Sequence, residues 1–217
     1  MKVALIGGTG FVGSALLDEL LQRGHQGVAL ARDPQKYTAR PGLSVVRADV
    51  QDAQQVQQAV AGCDAVLSGF NAGWNNPDIY QDFMNGSRAI QAGTKAAGVK
   101  RYIVVGGAGS LYAAPGLQIV DTPEFPAAIR DGARAARDLL KELQDSEQQL
   151  DWTFLSPPIG FHPGERGQRT GQYRVGKDQP LMNGDQPGTI SAADLAVAVV
   201  DELERPAHVR ERFTIGY

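Results

Sequence analysis

An apolar run, Val3-Ala4-Leu5-Ile6, stops at Gly7-Gly8-Thr9-Gly10-Phe11-Val12-Gly13, and from Ser14 onward leucines recur at helical spacing. A short apolar run closed by a turn signal reads as a buried parallel strand. Strand, glycine turn and helix in that order constrain the chain strongly. A helix N-terminus presents unpaired N–H groups and a partial positive charge, and a pyrophosphate reaches them only where no side chain intervenes. Glycine removes the side chain and permits the tight turn. Gly8, Gly10 and Gly13 satisfy G-x-G-x-x-G, and Gly7, Gly10 and Gly13 satisfy G-x-x-G-x-x-G. Either spacing is weak evidence alone. In this context it points to dinucleotide binding.

The rest of the chain alternates strands with helices. Strands are expected at 27–31, 43–48, 64–68, 102–105, 152–155 and 213–215, with a short one at 172–175. Helices are expected at 52–61, 77–97 with Asn76 as N-cap and Pro77 at the first position, 126–144, and after a Ser191–Asp194 capping box. Residues 110–125 read as irregular. Such alternation implies an α/β fold, a doubly wound, mainly parallel Rossmann-type sheet with helices on both faces. Right-handed crossovers give the strand order 3-2-1-4-5-6. Ligands of such sheets bind beyond the carboxyl ends of the strands. The 217 residues fit one domain, with a small substrate-facing segment at about 156–190.

Composition narrows the partners. A net charge of −3 gives no reason to expect nucleic acid or an anionic membrane. No apolar run approaches the roughly 18 residues that span a bilayer. The first apolar run already belongs to the glycine motif, so no leader is expected. Cys63 is alone, and His25, His162 and His208 are scattered, so no metal is expected. A cytoplasmic protein, monomeric or homodimeric, with a small-molecule partner is the resulting expectation.

The strand ends carry the candidate chemistry. Strand two runs into Arg32, and a guanidinium suits a phosphate dianion through paired hydrogen bonds. NADP is therefore favoured, with NAD as the alternative. Asp33, twenty residues past Gly13, competes as a ribose ligand, and its plainer role is to cap a turn that starts at Pro34. Asp49, ending strand three, can accept from an adenine amino group or cap the next helix. Small residues after strand four, Ser68-Gly69-Phe70-Asn71-Ala72-Gly73, would let a ribose approach.

The motifs 7–13, Ala31-Arg32-Asp33-Pro34, Ala48-Asp49-Val50, 69–73, Val104 to Leu111 and Ser156-Pro157-Pro158 resemble the short-chain dehydrogenase/reductase superfamily in its atypical, NAD(P)H-binding branch. They are similar to the flavin reductase/biliverdin-reductase-B group, to NmrA-like proteins, and to bacterial proteins described as epimerase/dehydratases. The resemblance implies that Gly7, Thr9, Gly10, Phe11, Val12 and Gly13 hold the pyrophosphate, Arg32 the 2′-phosphate, and Asp49 and Val50 the adenine. It implies that Phe70 and Asn71 line the ribose and that Pro157 sits by the nicotinamide.

The superfamily's usual acid departs from this chain. A Tyr-x-x-x-Lys pair is expected on the helix after strand five, where lysine lowers the tyrosine pKa. Residues 129–137 contain no tyrosine. The spacing does occur at Tyr173 and Lys177, beyond strand six, and there it reads as coincidence. Ser110, Tyr112 and His162 remain as weak catalytic candidates. Trp74, Tyr80, Tyr112 and Phe161 could wall an acceptor pocket, although loop packing explains each of them as well. A flavin or quinone accepts hydride without an enzyme acid, so a reductase of such an acceptor is the favoured reading. The rivals are a non-catalytic redox sensor and an epimerase or dehydratase. The latter needs a general base and usually a larger C-terminal region.

Overall fold

In this computed structural model, residues 1–163 and 167–217 are described. The strands are β1 (Lys2–Ile6), β2 (Gln26–Ala31), β3 (Leu43–Arg47), β4 (Ala65–Ser68), β5 (Arg101–Val105), β6 (Tyr112–Ala114), β7 (Leu117–Gln118), β8 (Asp151–Ser156), β9 (Arg174–Gly176), β10 (Met182–Asn183), β11 (Gln186–Pro187) and β12 (Glu211–Gly216). The helices are α1 (Phe11–Gln22), α2 (Ala53–Val60), α3 (Ile79–Ala96), α4 (Arg130–Ser146) and α5 (Ala192–Glu204). One sheet runs β3-β2-β1-β4-β5-β8-β12-β9. It is parallel except for β9, which lies antiparallel on β12 at the edge. The expected order of the first six strands holds, with β8 as the sixth.

Alternation along the strands builds two apolar layers. Ala4, Ile6, Val66, Tyr102, Val104 and Trp152 face α2, α3 and α4. Val3, Leu5, Leu67, Ile103, Leu155 and Phe213 face α1 and α5. Each fully buried large side chain contributes about 1.5–3 kcal/mol, so the two layers fix which strand ends lie side by side. In α4 the buried positions are 132, 135, 136, 139, 140 and 143, an apolar stripe at helical spacing.

Four local expectations change. α1 starts at Phe11, not after the glycines, because the glycine turn itself enters the helix. α3 starts at Ile79: Asn76 does not cap it but accepts the Asp78 N–H through Oδ1 at 3.0 Å, closing its own turn. Residues 112–118 hold a small hairpin, β6 with β7, turned at Gly116. At α5, Ser191 caps the Asp194 N–H as expected, but the Ser191 N–H goes to Tyr217 Oη instead of returning to Asp194.

The freed Asp194 carboxylate is fully buried and accepts from Thr170 N–H, Thr170 Oγ1, Gly171 N–H and Tyr217 Oη at 2.5–2.8 Å. Burial acts to raise its pKa, but these donors more than offset that and hold it below the usual carboxylate range. This clip ties the chain after β8 back onto α5.

Candidate functional site

The glycine turn is built by close approach. Gly7 adopts φ +79°, and a Cβ there would lie 2.5 Å from the Gly69 carbonyl oxygen at the end of β4. A Cβ on Gly13 would run into the Gly7 carbonyl. Gly10 N–H donates to Gly7 O at 2.9 Å, and Ser14 N–H donates to Gly10 O at 2.9 Å. Gly10 is the N-cap of α1, and no side chain among the described residues caps that end. The first-turn amides are thus left for a ligand.

Beside the turn lies a cleft of about 310 Å³ over the carboxyl ends of β1 to β4. Gly7 and Thr9 line it from the turn, Arg32 from the end of β2, Asp49 and Val50 from the end of β3, and Phe70 and Asn71 from the end of β4. Seven expected cofactor residues therefore share one hollow. Gly10, Phe11, Val12 and Gly13 form the adjoining start of α1. Pro157 is buried just past β8 and does not line the cleft.

The polar groups of the cleft divide into engaged and free. Asp33 Oδ1 accepts the Gln35 N–H at 3.2 Å and caps the 3-10 turn Pro34–Lys36. Asp49 Oδ1 accepts the Gln51 N–H at 3.0 Å, and Asn71 Oδ1 accepts the Gly73 N–H at 2.7 Å. Phe70 stacks on Phe83 with centroids 5.8 Å apart. Arg32 and Lys36 are exposed on the same wall, and neither side chain has a hydrogen bond or ion pair among the described residues. A glycine-rich turn, helix amides without a side-chain cap and two side-chain cations without a partner among the described residues fit a dinucleotide.

The remaining candidates are not drawn to one place. Ser110 is buried; its hydroxyl donates to Gly107 O and pairs with Ser156 Oγ at 3.0 Å. Tyr112 lies 6.0 Å from the Arg212 guanidinium, which is bound to Asp178. Tyr80 donates to Asp138 Oδ2 at 2.8 Å between α3 and α4. Phe161 packs on Phe11 at 5.5 Å, and His162 is exposed. Trp74 lines a second hollow against α4. Tyr173 donates to Asp201 Oδ2 at 2.6 Å; burial, then that hydrogen bond, push its phenol up. It is held in the α1–α5 face, not in the cleft.

The sequence profile described as NAD(P)H-binding matches residues 7–206. The chain belongs to the NAD(P)H-binding family. YwnB of Bacillus subtilis is 37% identical over 217 residues, covering 99% of this chain and 98% of that protein. A Bacteroides thetaiotaomicron structure provisionally described as an epimerase is 43% identical, with TM-score 0.90 over 100% of this chain and 96% of that one. A Streptococcus pneumoniae structure provisionally described as an NADH-flavin reductase is 34% identical, with TM-score 0.84 over 100% and 99%. The resemblance to the atypical, NAD(P)H-binding branch of the short-chain dehydrogenase/reductases is borne out. Family membership gives the chain a nicotinamide dinucleotide as its cofactor. No helix among the described residues is long and apolar enough to cross a membrane.

Sequence reasoning gave Gly8 to one of its two glycine spacings and missed Lys36, Tyr37, Gln51, Asn76 and Asp82 as lining residues; all of them line the cleft. Tyr37 matters most. Its hydroxyl would lie 2.5 Å from a Cβ on Gly8, so the ring end lies over the glycine turn. Burial pushes its phenol up, which keeps it a hydrogen-bond donor. The available signal was Pro34: a turn that starts there carries Lys36 and Tyr37 back across the end of β2.

Proposed function

We propose that this protein is an NADP(H)-dependent reductase of a flat conjugated acceptor, a flavin or a quinone. The observation that carries the cofactor choice is the pair Arg32 and Lys36, exposed and uncommitted on one wall of the cleft. In this reading they take the 2′-phosphate, the glycine turn with Thr9 takes the pyrophosphate, and Asp49 and Val50 take the adenine. Phe70 and Asn71 border the ribose, and Pro157 flanks the nicotinamide.

The bound dinucleotide supplies hydride, and solvent supplies the proton that completes a two-electron reduction. An acceptor of that kind suits a chain whose α4 has no tyrosine and whose Tyr173 is held by Asp201. The chain's part is to align two rings and exclude water. We read residues 1–217 as one domain whose 156–190 segment faces the acceptor; Phe161 against Phe11 supports that placement. Ser110, spent inside the protein, is left out of the chemistry, and His162 is the side chain to test as a proton donor.

The test is dinucleotide oxidation against riboflavin, FMN and menadione. Turnover with NADPH in preference to NADH is expected. A flat trace across the panel, with tight dinucleotide binding, would replace this reading with a redox sensor.

A further inference from the structure

A dinucleotide is a polyanion, yet carboxylates line the cleft that would take it. Asp33 and Asp49 are spent on the turns that follow them, each accepting a backbone N–H two residues on. Asp82, in the first turn of α3, is placed differently. Among the described residues its carboxylate meets Asn76 Nδ2, which donates to Oδ2 at 2.8 Å, and no cation pairs with it. An acid in a first turn is favoured by the helix dipole wherever it points. This one lines the cleft, and Asn76 holds it there: Asn76 Oδ1 accepts the Asp78 N–H at 3.0 Å, which leaves Nδ2 turned to Asp82.

Helix packing puts Asp82 beside the base. Both α2 and α3 return from parallel strands, and they lie against each other: a Cβ on Gly93 would come 2.6 Å from Ala53 O, at the start of α2. Asp82 precedes Gly93 by eleven residues, roughly 16 Å along the helix at about 1.5 Å per residue. The first turns of α3 therefore stand beyond the start of α2, next to the 49–51 loop that enters it. A base seated on Asp49 and Val50 lies between that loop and Asp82, in the one cleft that all three line.

We propose that Asp82 selects the base of the dinucleotide, accepting from the exocyclic amine of adenine and excluding purines that carry a carbonyl there. The proposal rests on the adenine placement given above. An open carboxylate accepts from the amine and repels the carbonyl oxygen. A site built to pair with a donor rejects the analogue that lacks it. The negative charge that would otherwise oppose a polyanion thus faces a donor.

Calorimetric titration with NADPH and with its analogue carrying hypoxanthine in place of adenine tests this. The wild type should bind NADPH at least ten-fold tighter than the analogue. Asp82→Ala should bring that ratio below three-fold by weakening NADPH, with the ratio of NADPH to NADH affinity as in the wild type. Loss of a merely structural first-turn acid would weaken both bases equally. In Asp82→Asn, Asn76 still donates to the side-chain oxygen and so turns the new amide N–H groups to the base; the hypoxanthine analogue should bind this variant at least three-fold tighter than it binds the wild type. Near-equal affinities in the wild type, or a ratio that survives both substitutions, overturn the proposal. A ratio that survives Asp82→Ala and is lost in Asp49→Ala removes the role of Asp82 and keeps the adenine placement. A ratio lost in Asp82→Ala and unchanged in Asp49→Ala keeps the role of Asp82 and moves the adenine off Asp49.

Discussion

Charges on the α1–α5 face and charges on the cleft wall are treated in opposite ways. On the α1–α5 face, Arg23 bonds Glu19, Asp201 and Glu204, and Arg169 bonds Glu19 from 150 residues away. Nearby, buried Arg101 is held by Glu202. These groups pair with one another, with Arg101 Nε alone among them buried without a hydrogen-bond partner among the described residues. On the cleft wall, Arg32 and Lys36 have no partner among the described residues. A lone exposed cation is ordinary. Two of them beside an uncapped helix start and a glycine-rich turn are not. The same residue types thus serve the fold where they are matched internally and, in the function proposed above, serve a ligand where they are left open.

The comparison breaks most visibly at Glu202. Its carboxylate accepts from Arg101, the Ala207 N–H and the His208 N–H, and pairs with His208 Nδ1. Glu202→Ala strands a buried guanidinium and should cost about 3–5 kcal/mol in urea unfolding. Dinucleotide affinity of the folded fraction should not change. A marked loss of affinity at unchanged stability would mean that this face belongs to the site.

Acid separates the two regions. Glu19 is held low by Arg169, and the Asp194 and Glu202 carboxyls are held low by donors that outweigh burial. Folded values below unfolded ones give stability that is fully present above about pH 4 and is lost as pH falls through the lowered folded values. The preference for NADP+ over NAD+ should fade earlier, as the 2′-phosphate gains a proton near about pH 6. Melting curves and titrations on one pH series check both. Stability that collapses together with the preference would join the regions.

Tyr37→Phe is the smallest expected effect. It removes a single hydroxyl over the glycine turn and should weaken NADPH and NADH equally, by about 0.5–1.5 kcal/mol, without lowering the melting temperature. A loss confined to NADPH would move Tyr37 to the 2′-phosphate.

The sequence made the scaffold legible because its signals are local. The glycine turn, the apolar runs of β1 to β5 and the Ser191 cap each sit within one short window. Arg32 was readable because it ends a strand. Lys36 and Tyr37 were not, since their place in the cleft depends on a 3-10 turn folding back beside β2. The β6–β7 hairpin is too short for alternation to show. The Arg169–Glu19 and Thr170–Asp194 contacts join distant segments that no local pattern links.

Calorimetric titration of NADPH and NADH into the wild type and the Arg32→Ala/Lys36→Ala variant tests the central claim most directly. The wild type should bind NADPH tighter by about 1.5–3 kcal/mol, as for hydrogen bonds to a charged group. The variant should bind both alike, at an unfolding midpoint unchanged from wild type. Equal affinities in the wild type, or a preference for NADPH that survives the double substitution, would contradict the account.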